Sequence, residues 1–228
     1  MIINTFPLLE GAKKARGAAV VIDVFRAFSV ECYLYRNNVD TVIPVADMDI
    51  AYGLKKRHPG YILIGERGGK TLPGCDFGNS PTEIENIDFT GKTVVHTTSA
   101  GTQGLDNASG ADIVLTGSLV NSKAIVRFLL KNGFREISLI PMGLAATSEA
   151  SEDTLCASYI ERLLRGEDPD ISADIERLKD TTGRRFFDPE KEFLPERDFE
   201  LCTRLNAFDF VIKAERIDGL LKTARVDA

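Results

Sequence analysis

Charged side chains recur in this chain directly after apolar runs. Asp23 and Arg26 follow Ala18 to Ile22, Glu66 and Arg67 follow Ile62 to Gly65, and Glu152 and Asp153 open an apolar segment that reads as a helix. The densest stretch is Ile62 to Pro81, ILIGERGGKTLPGCDFGNSP. Gly65, Gly68, Gly69, Gly74 and Gly78 let backbone amides approach a ligand closely, while Glu66, Arg67 and Asp76 bring opposite charges into one loop. This chemistry suits a small, highly charged ligand.

Two hydroxyl-rich loops extend the pattern. After Lys92 to His96 comes Thr97-Thr98-Ser99-Ala100-Gly101-Thr102, which opens a predicted helix whose unpaired amides and partial positive charge would seat an anion. Thr116-Gly117-Ser118 with Asn121 repeats the device after the next strand. Capping by Thr or Ser is the competing reading for either loop alone, and their pairing at one sheet edge favours oxyanion binding. Ser151, Glu152 and Asp153 read either as an N-cap with acids that complement the helix dipole or as metal ligands. Only two histidines exist, His58 and His96, too few for a histidine-rich zinc or iron site. Oxygen ligands from Asp23, Glu66, Asp76, Glu152 or Asp153 would suit Mg2+.

Several mechanisms are excluded or demoted. Asp23-Val24-Phe25-Arg26 lacks the second aspartate of an aspartyl-phosphate phosphatase, and no GxxxxGK[ST] phosphate loop occurs. Cys156 and Arg162 have the spacing of a cysteine phosphatase, but they fall in a helical stretch with no glycine cradle to acidify the thiol. With His58 in a loop and His96 in a strand, a Ser/His/Asp triad is not supported.

The elements that must position these residues alternate regularly. Strand-like runs are Ala18 to Val24, Val39 to Val45, Tyr61 to Gly65, Lys92 to His96, Ile113 to Thr116 and Ile137 to Pro141, with amphipathic segments such as Asp47 to Arg57 and Asn121 to Lys131 between them. The pattern predicts an α/β fold, a mainly parallel sheet covered by helices in three layers, with charged residues clustered beyond the strands' carboxyl ends. Phe208 to Arg216 and Leu220 to Val226, joined through Asp218-Gly219, predict a C-terminal β-hairpin, and Glu167 to Glu196 reads as short helices and loop leading to it. The chain is read as one domain over 1–228, with two lobes divided near 110–120 as the alternative.

At 228 residues, 43% hydrophobic and with net charge −6, the chain can bury a full core and carries no basic footprint for nucleic acid. No apolar run approaches the length of a membrane helix and no signal peptide is read at the start, so a cytoplasmic protein is expected. Cys32, Cys75, Cys156 and Cys202 read as free thiols. The apolar hairpin offers a homodimer interface.

The motifs VVIDVFRAFS at 20–29, GERGG at 65–69, GCDFGNSP at 74–81, TTSAGT at 97–102, and TGSLVN with the later SEDTLCA together resemble the 2-phosphosulfolactate phosphatases, over most of Ala18 to Ile160. The resemblance implies an Mg2+-dependent hydrolase that releases phosphate from 2-phospho-3-sulfolactate on the coenzyme M route. Cys75, Ser99-Ala100 and Met142 to Ser148 depart from the family's usual pattern, which bears on substrate identity; another phosphorylated carboxylic acid, or anion binding without catalysis, are the alternatives. In this reading Mg2+ is held by Asp23 with Glu66 or Asp153, and Glu152 is a further ligand. Arg26 and Arg67 neutralise the substrate's acids. Asp76, Asn79, Thr97, Thr98, Ser99, Gly101, Thr102, Gly117, Ser118 and Asn121 line its cradle.

Overall fold

A computed structural model describes residues 1–228. In chain order the first half comprises β1 (Ile2–Thr5), α1 (Leu8–Ala12), β2 (Ala18–Ile22), α2 (Ala27–Arg36), β3 (Thr41–Pro44), α3 (Met48–Arg57), β4 (Ile62–Arg67), β5 (Lys70–Thr71), α4 (Pro81–Ile84) and β6 (Thr93–Thr97). There follow α5 (Gly101–Asn107), β7 (Ile113–Gly117), α6 (Ser122–Lys131), β8 (Glu136–Pro141), α7 (Ser151–Leu164), α8 (Ser172–Arg177), α9 (Glu196–Cys202), β9 (Phe210–Ile217) and β10 (Leu220–Asp227).

The strands form one sheet in the order β1-β8-β2-β7-β9-β10-β3-β6-β4-β5. β1, β8, β2 and β7 are mutually parallel, as are β3, β6 and β4. The hairpin β9–β10 lies between the two sets and pairs antiparallel to β7 on one side and to β3 on the other. Its turn places Asp218 at φ 54° and Gly219 at φ 78°, the left-handed pair that a two-residue hairpin turn requires. Three antiparallel steps reverse the polarity of the second set relative to the first. Residues at the carboxyl ends of both sets nevertheless meet: Asp23 after β2 and Gly143 after β8 line one cavity with Glu66 of β4 and Thr98 after β6.

Alternation along the strands divides the core between two faces. Val20 and Ile22 of β2 pack with Leu115, Ile137 and Leu139 under α6 and α7, whereas Ala19 and Val21 pack with Ile140 and Leu105 on the face of α1 and α5. In the second set Val42, Ile64 and Val94 join Tyr33, Leu34 and Ile84, and Ile43, Leu63 and Val95 join Ala51 and Leu54 of α3. Helices therefore cover both faces, and the three-layer α/β reading is the architecture found.

Two strands escaped the sequence reading. β1 has a half-exposed pattern at the sheet edge, and β5 is only a two-residue return from the Gly68-Gly69 turn. The predicted hairpin forms, but inside the sheet: both its strands bond to neighbours within the chain, so it is not a free apolar edge for a second copy. The second parallel set is built from residues 41–97, and the first from residues on both sides of it in sequence. All four cysteines are free, and no helix is long and apolar enough to cross a membrane.

Candidate active site

A cavity of about 410 Å3 opens where the carboxyl ends of both parallel sets converge, and its wall carries four carboxylates: Asp23, Glu66, Glu152 and Asp153. Each is at least nine-tenths buried. The five residues of β2 are fully buried apolar side chains, so the chain leaves the sheet at Asp23 with its course fixed. The Asp23 amide donates to the Gly117 carbonyl at 3.1 Å, and its Oδ1 accepts from the Ala27 amide at 3.2 Å. Burial above all, then the nearby charges of Glu66 and Glu152, push the Asp23 carboxyl up to about 6.

Two of the other three acids clamp loops. Glu66 takes the Ser99 amide on Oε1 and the Gly69 amide on Oε2, both at 2.7 Å, joining the loop after β6 to the β4–β5 turn. Gly68 and Gly69 adopt φ values of 59° and 83°, so this turn needs residues without a Cβ. Asp153 accepts from the Val24 amide on Oδ1 and the Gly143 amide on Oδ2, both at 2.8 Å, joining the loops after β2 and β8. Burial, reinforced by Glu152 and Asp23, raises the Asp153 carboxyl well above its usual range. Glu152 accepts a hydrogen bond from the Thr182 hydroxyl and holds no amide of another loop; burial raises its carboxyl as well. The capping reading of Ser151 to Asp153 fails here: Ala150 is the N-cap, no side chain caps the helix, and both acids turn inward.

Two guanidiniums line the cavity. Arg26, after the cis Phe25–Arg26 peptide, donates from Nη1 to Asp198 Oδ2 at 2.7 Å and to the Phe193 carbonyl at 3.2 Å, and from Nη2 to the Gly69 carbonyl at 2.8 Å. Asp198 also accepts from the Ser80 hydroxyl at 2.6 Å and the Thr82 amide at 3.1 Å. Arg26 is thus a buried strut rather than a free anion ligand. Arg185 donates from Nη2 to the Phe25 carbonyl at 3.0 Å, lies 4.0 Å from Glu152, and has a buried Nε with no partner.

Of the residues expected at the site, Asp23, Arg26, Glu66, Asn79, Thr98, Ser99, Glu152 and Asp153 line the cavity. Gly101 is adjacent: a Cβ there would lie 2.9 Å from Asp23 Oδ2. Arg67 does not line it; its guanidinium bonds the Glu66 and Ala46 carbonyls and the Thr97 hydroxyl. Asp76 pairs with Lys55 at 2.8 Å and accepts from the Leu63 amide, which fixes the loop and holds its carboxyl low. Thr97 and Thr102 are spent on Arg67 and on the Thr98 carbonyl. Gly117, Ser118 and Asn121 form an interior cap, with Ser118 bonded to Ser29 and Asn121 to the Ser118 amide. The anion seat expected at α5 is taken by the chain's own acids, since Glu66 holds the Ser99 amide and Asp23 faces Gly101.

Asn79 reaches the cavity from a fully buried array. His96 Nε2–H donates to its Oδ1 at 3.0 Å, and Nδ1 lies 3.4 Å from Glu31, leaving the Asn79 amide nitrogen for the cavity. Sequence reasoning missed Thr182 and Arg185, which arrive from the segment read as linker, and Asp198, which lies just beyond it in α9. The available signal was Arg184-Arg185-Phe186-Phe187, paired cations against rings that must be buried. Cys156 lies fully buried in α7, where burial pushes its thiol up, so it is no nucleophile.

The model of the family described as 2-phosphosulpholactate phosphatase matches residues 5–216. The chain belongs to the 2-phosphosulpholactate phosphatase family. Relatives include proteins named "Probable 2-phosphosulfolactate phosphatase" from Carboxydothermus hydrogenoformans, 32% identical over 90% of this chain and 89% of the relative, and from Caldicellulosiruptor saccharolyticus, 33% identical over 85% and 87%. A third, from Bacillus subtilis, is 29% identical over 90% and 89%. The match to the 2-phosphosulpholactate phosphatase family takes in β2, β7 and β8 of the first parallel set, the whole second set, and the 178–198 segment that supplies Thr182, Arg185 and Asp198.

Proposed function

We propose that the protein is a phosphoric monoester hydrolase that converts 2-phospho-3-sulfolactate and water to 3-sulfolactate and phosphate, with Mg2+ as cofactor. The observation that carries this reading is the wall of the cavity: four buried carboxylates face it against two guanidiniums, one already neutralised by Asp198. Such a site is short of positive charge, and a purely anion-binding protein would have no use for these acids.

The donor set fits magnesium. No three acidic, histidine or cysteine side chains converge as a ready-made cage. Mg2+ is commonly bound through one or two carboxylates, with water and substrate oxygens completing its shell. Asp23 and Asp153, which face the buried end of the cavity and of which Asp23 helps to raise the Asp153 carboxyl, are the pair that would hold it. When bound, the ion supplies charge neutralisation at the phosphoryl oxygens.

The chain's own residues do the rest. Asn79 offers amide donors to a phosphoryl oxygen, and Glu66 keeps the Ser99 and Gly69 loops at the cavity wall. Glu152 takes the proton of the attacking water, since it alone of the four acids clamps neither a loop amide nor the start of α2. Water's oxygen bonds to phosphorus, the P–O bond to the oxygen on C2 of the substrate breaks, and the proton taken up by Glu152 returns, directly or through solvent, to the leaving alkoxide, giving the hydroxyl of sulfolactate and regenerating the carboxylate. We place the reaction in the cytoplasm and its product on a route to coenzyme M.

The test is phosphate release from 2-phospho-3-sulfolactate by the purified protein, with Mg2+ and with EDTA. Release in 18O-labelled water should put one label in phosphate. Turnover that persists undiminished in EDTA would remove the metal from the reading, and no turnover with Mg2+ would remove the substrate.

A further inference from the structure

Of the two arginines on the cavity wall, only one has capacity to spare. Arg26 is tied by three hydrogen bonds and a fully buried ion pair. Arg185 makes a single hydrogen bond, its nearest acid stands at the 4.0 Å limit of an ion pair, and its buried Nε is unpartnered. Nη1 makes no hydrogen bond within the chain and is not among its buried atoms, so it is the donor left for a ligand. Its place in the wall is also distinct. Arg185 is 27% exposed and belongs at once to the cavity and to an outer groove with Arg184 and Lys191, so it stands at the mouth, whereas Asp23 and Asp153 are at the buried end.

We propose that Arg185 is the specificity-determining residue for the sulfonate of the substrate; this rests on the phosphatase reading above. With the phosphoryl group at the buried carboxylates, an acid one carbon away points back toward the mouth. The surroundings of Arg185 suit a sulfonate. The guanidinium lies 5.3 Å from the Phe186 ring centroid and 6.0 Å from that of Phe25, and Leu144 lines the same cavity. A weakly hydrated cation among apolar walls favours a large, weakly hydrated, permanently ionised anion, and its planar fork can donate to two sulfonate oxygens. Arg184 outside would draw such an anion inward, whereas Lys191 in the same groove is paired with Asp188 at 2.8 Å.

The experiment compares 2-phospho-3-sulfolactate with 2-phospholactate, which has hydrogen in place of the sulfonate, for the wild type, Arg185→Gln and Arg185→Lys, all with Mg2+. Arg185→Gln should lower kcat/KM for the sulfonated substrate about 100-fold, chiefly through KM, the scale of a lost charge-assisted pair. With phospholactate the loss should stay below about threefold, and Arg185→Lys should recover part of the sulfonate preference. Equal losses on both substrates would overturn the proposal, because Arg185 would then be serving the phosphoryl group or the fold. If the wild type hydrolyses neither ester, the phosphatase reading fails, and calorimetry with 3-sulfolactate and lactate decides for Arg185 separately. Wild-type preference for sulfolactate that vanishes in Arg185→Gln supports the assignment; a preference unchanged by the substitution, or none at all, refutes it.

Discussion

Gly101 stands so near Asp23 that a Cβ added to it would lie 2.9 Å from the carboxylate Oδ2, and 3.0 Å from the Phe28 ring. The first residue of α5 is therefore part of the wall that seats the aspartate. Gly101→Ala should displace the Asp23 carboxylate, lower kcat at least tenfold and reduce stability by about 1–3 kcal/mol, the usual cost of overpacking. Kinetics with Mg2+ alongside thermal melting would check both, and an alanine variant of native activity would mean that α5 gives way freely.

Asp23 itself should show opposite effects on activity and stability. Its carboxyl is raised from 3.8 to about 6 in the folded chain, so between those values the folded state binds more protons than the unfolded one. In metal-free protein this contribution favours folding at low pH and is lost as pH rises through about 6. Asp23→Asn should abolish Mg2+-dependent phosphate release yet stabilise the metal-free fold at pH 8 by an amount on the order of 3 kcal/mol. Urea unfolding in EDTA at pH 4 and 8 measures it, with the gain confined to the higher pH.

Glu152→Gln keeps the size and the Thr182 contact of the proposed proton acceptor but removes its basicity. The expected result is a loss of at least about 100-fold in kcat with KM nearly unchanged. A loss expressed in KM alone would assign Glu152 to binding.

The Arg26–Asp198 pair joins the loop after β2 to α9, and through Gly69 to the β4–β5 turn. Asp198→Asn leaves a buried guanidinium without its counter-charge and should cost about 3–5 kcal/mol. Denaturant midpoints of the variant and wild type give the number directly, and equal midpoints would deny the strut its role.

Arg67 offers the contrast. Because it braces Thr97 and Ala46 outside the cavity, Arg67→Ala should leave KM for the phosphorylated substrate within about threefold while lowering stability by roughly 1–3 kcal/mol through carbonyls left without a donor. A large rise in KM at native stability would return it to the substrate.

The layers of the fold were legible because Val, Ile and Leu at β2, β3, β4, β6, β7 and β8 are buried on both faces and so read as continuous apolar runs. β1, with Ile2 and Thr5 exposed and Ile3 and Asn4 only half-buried at an edge, leaves no such run. At the site, Asp23, Glu66 and Asp153 were readable since each acid follows or begins an apolar element, where solvation alone does not account for it. What the chain does with its loop amides was not readable. Hydroxyl-rich turns signal amides in need of an acceptor, but whether a substrate or a distant carboxylate such as Glu66 satisfies them depends on tertiary approach, and here 33 residues separate Glu66 from Ser99. Thr182 and Arg185 were obscured for the same reason. Their segment has few apolar residues and many charges, the composition of a solvated linker, although Phe186 and Phe199 anchor it to Phe25.

The hairpin wedged between the two parallel sets is also the portion of the sheet synthesised last. β7 and β3 share no ladder of their own, so the two parallel sets are joined in the sheet only through β9 and β10. Every residue that lines the cavity thus precedes, in sequence, the two strands that bridge the halves of the sheet around it.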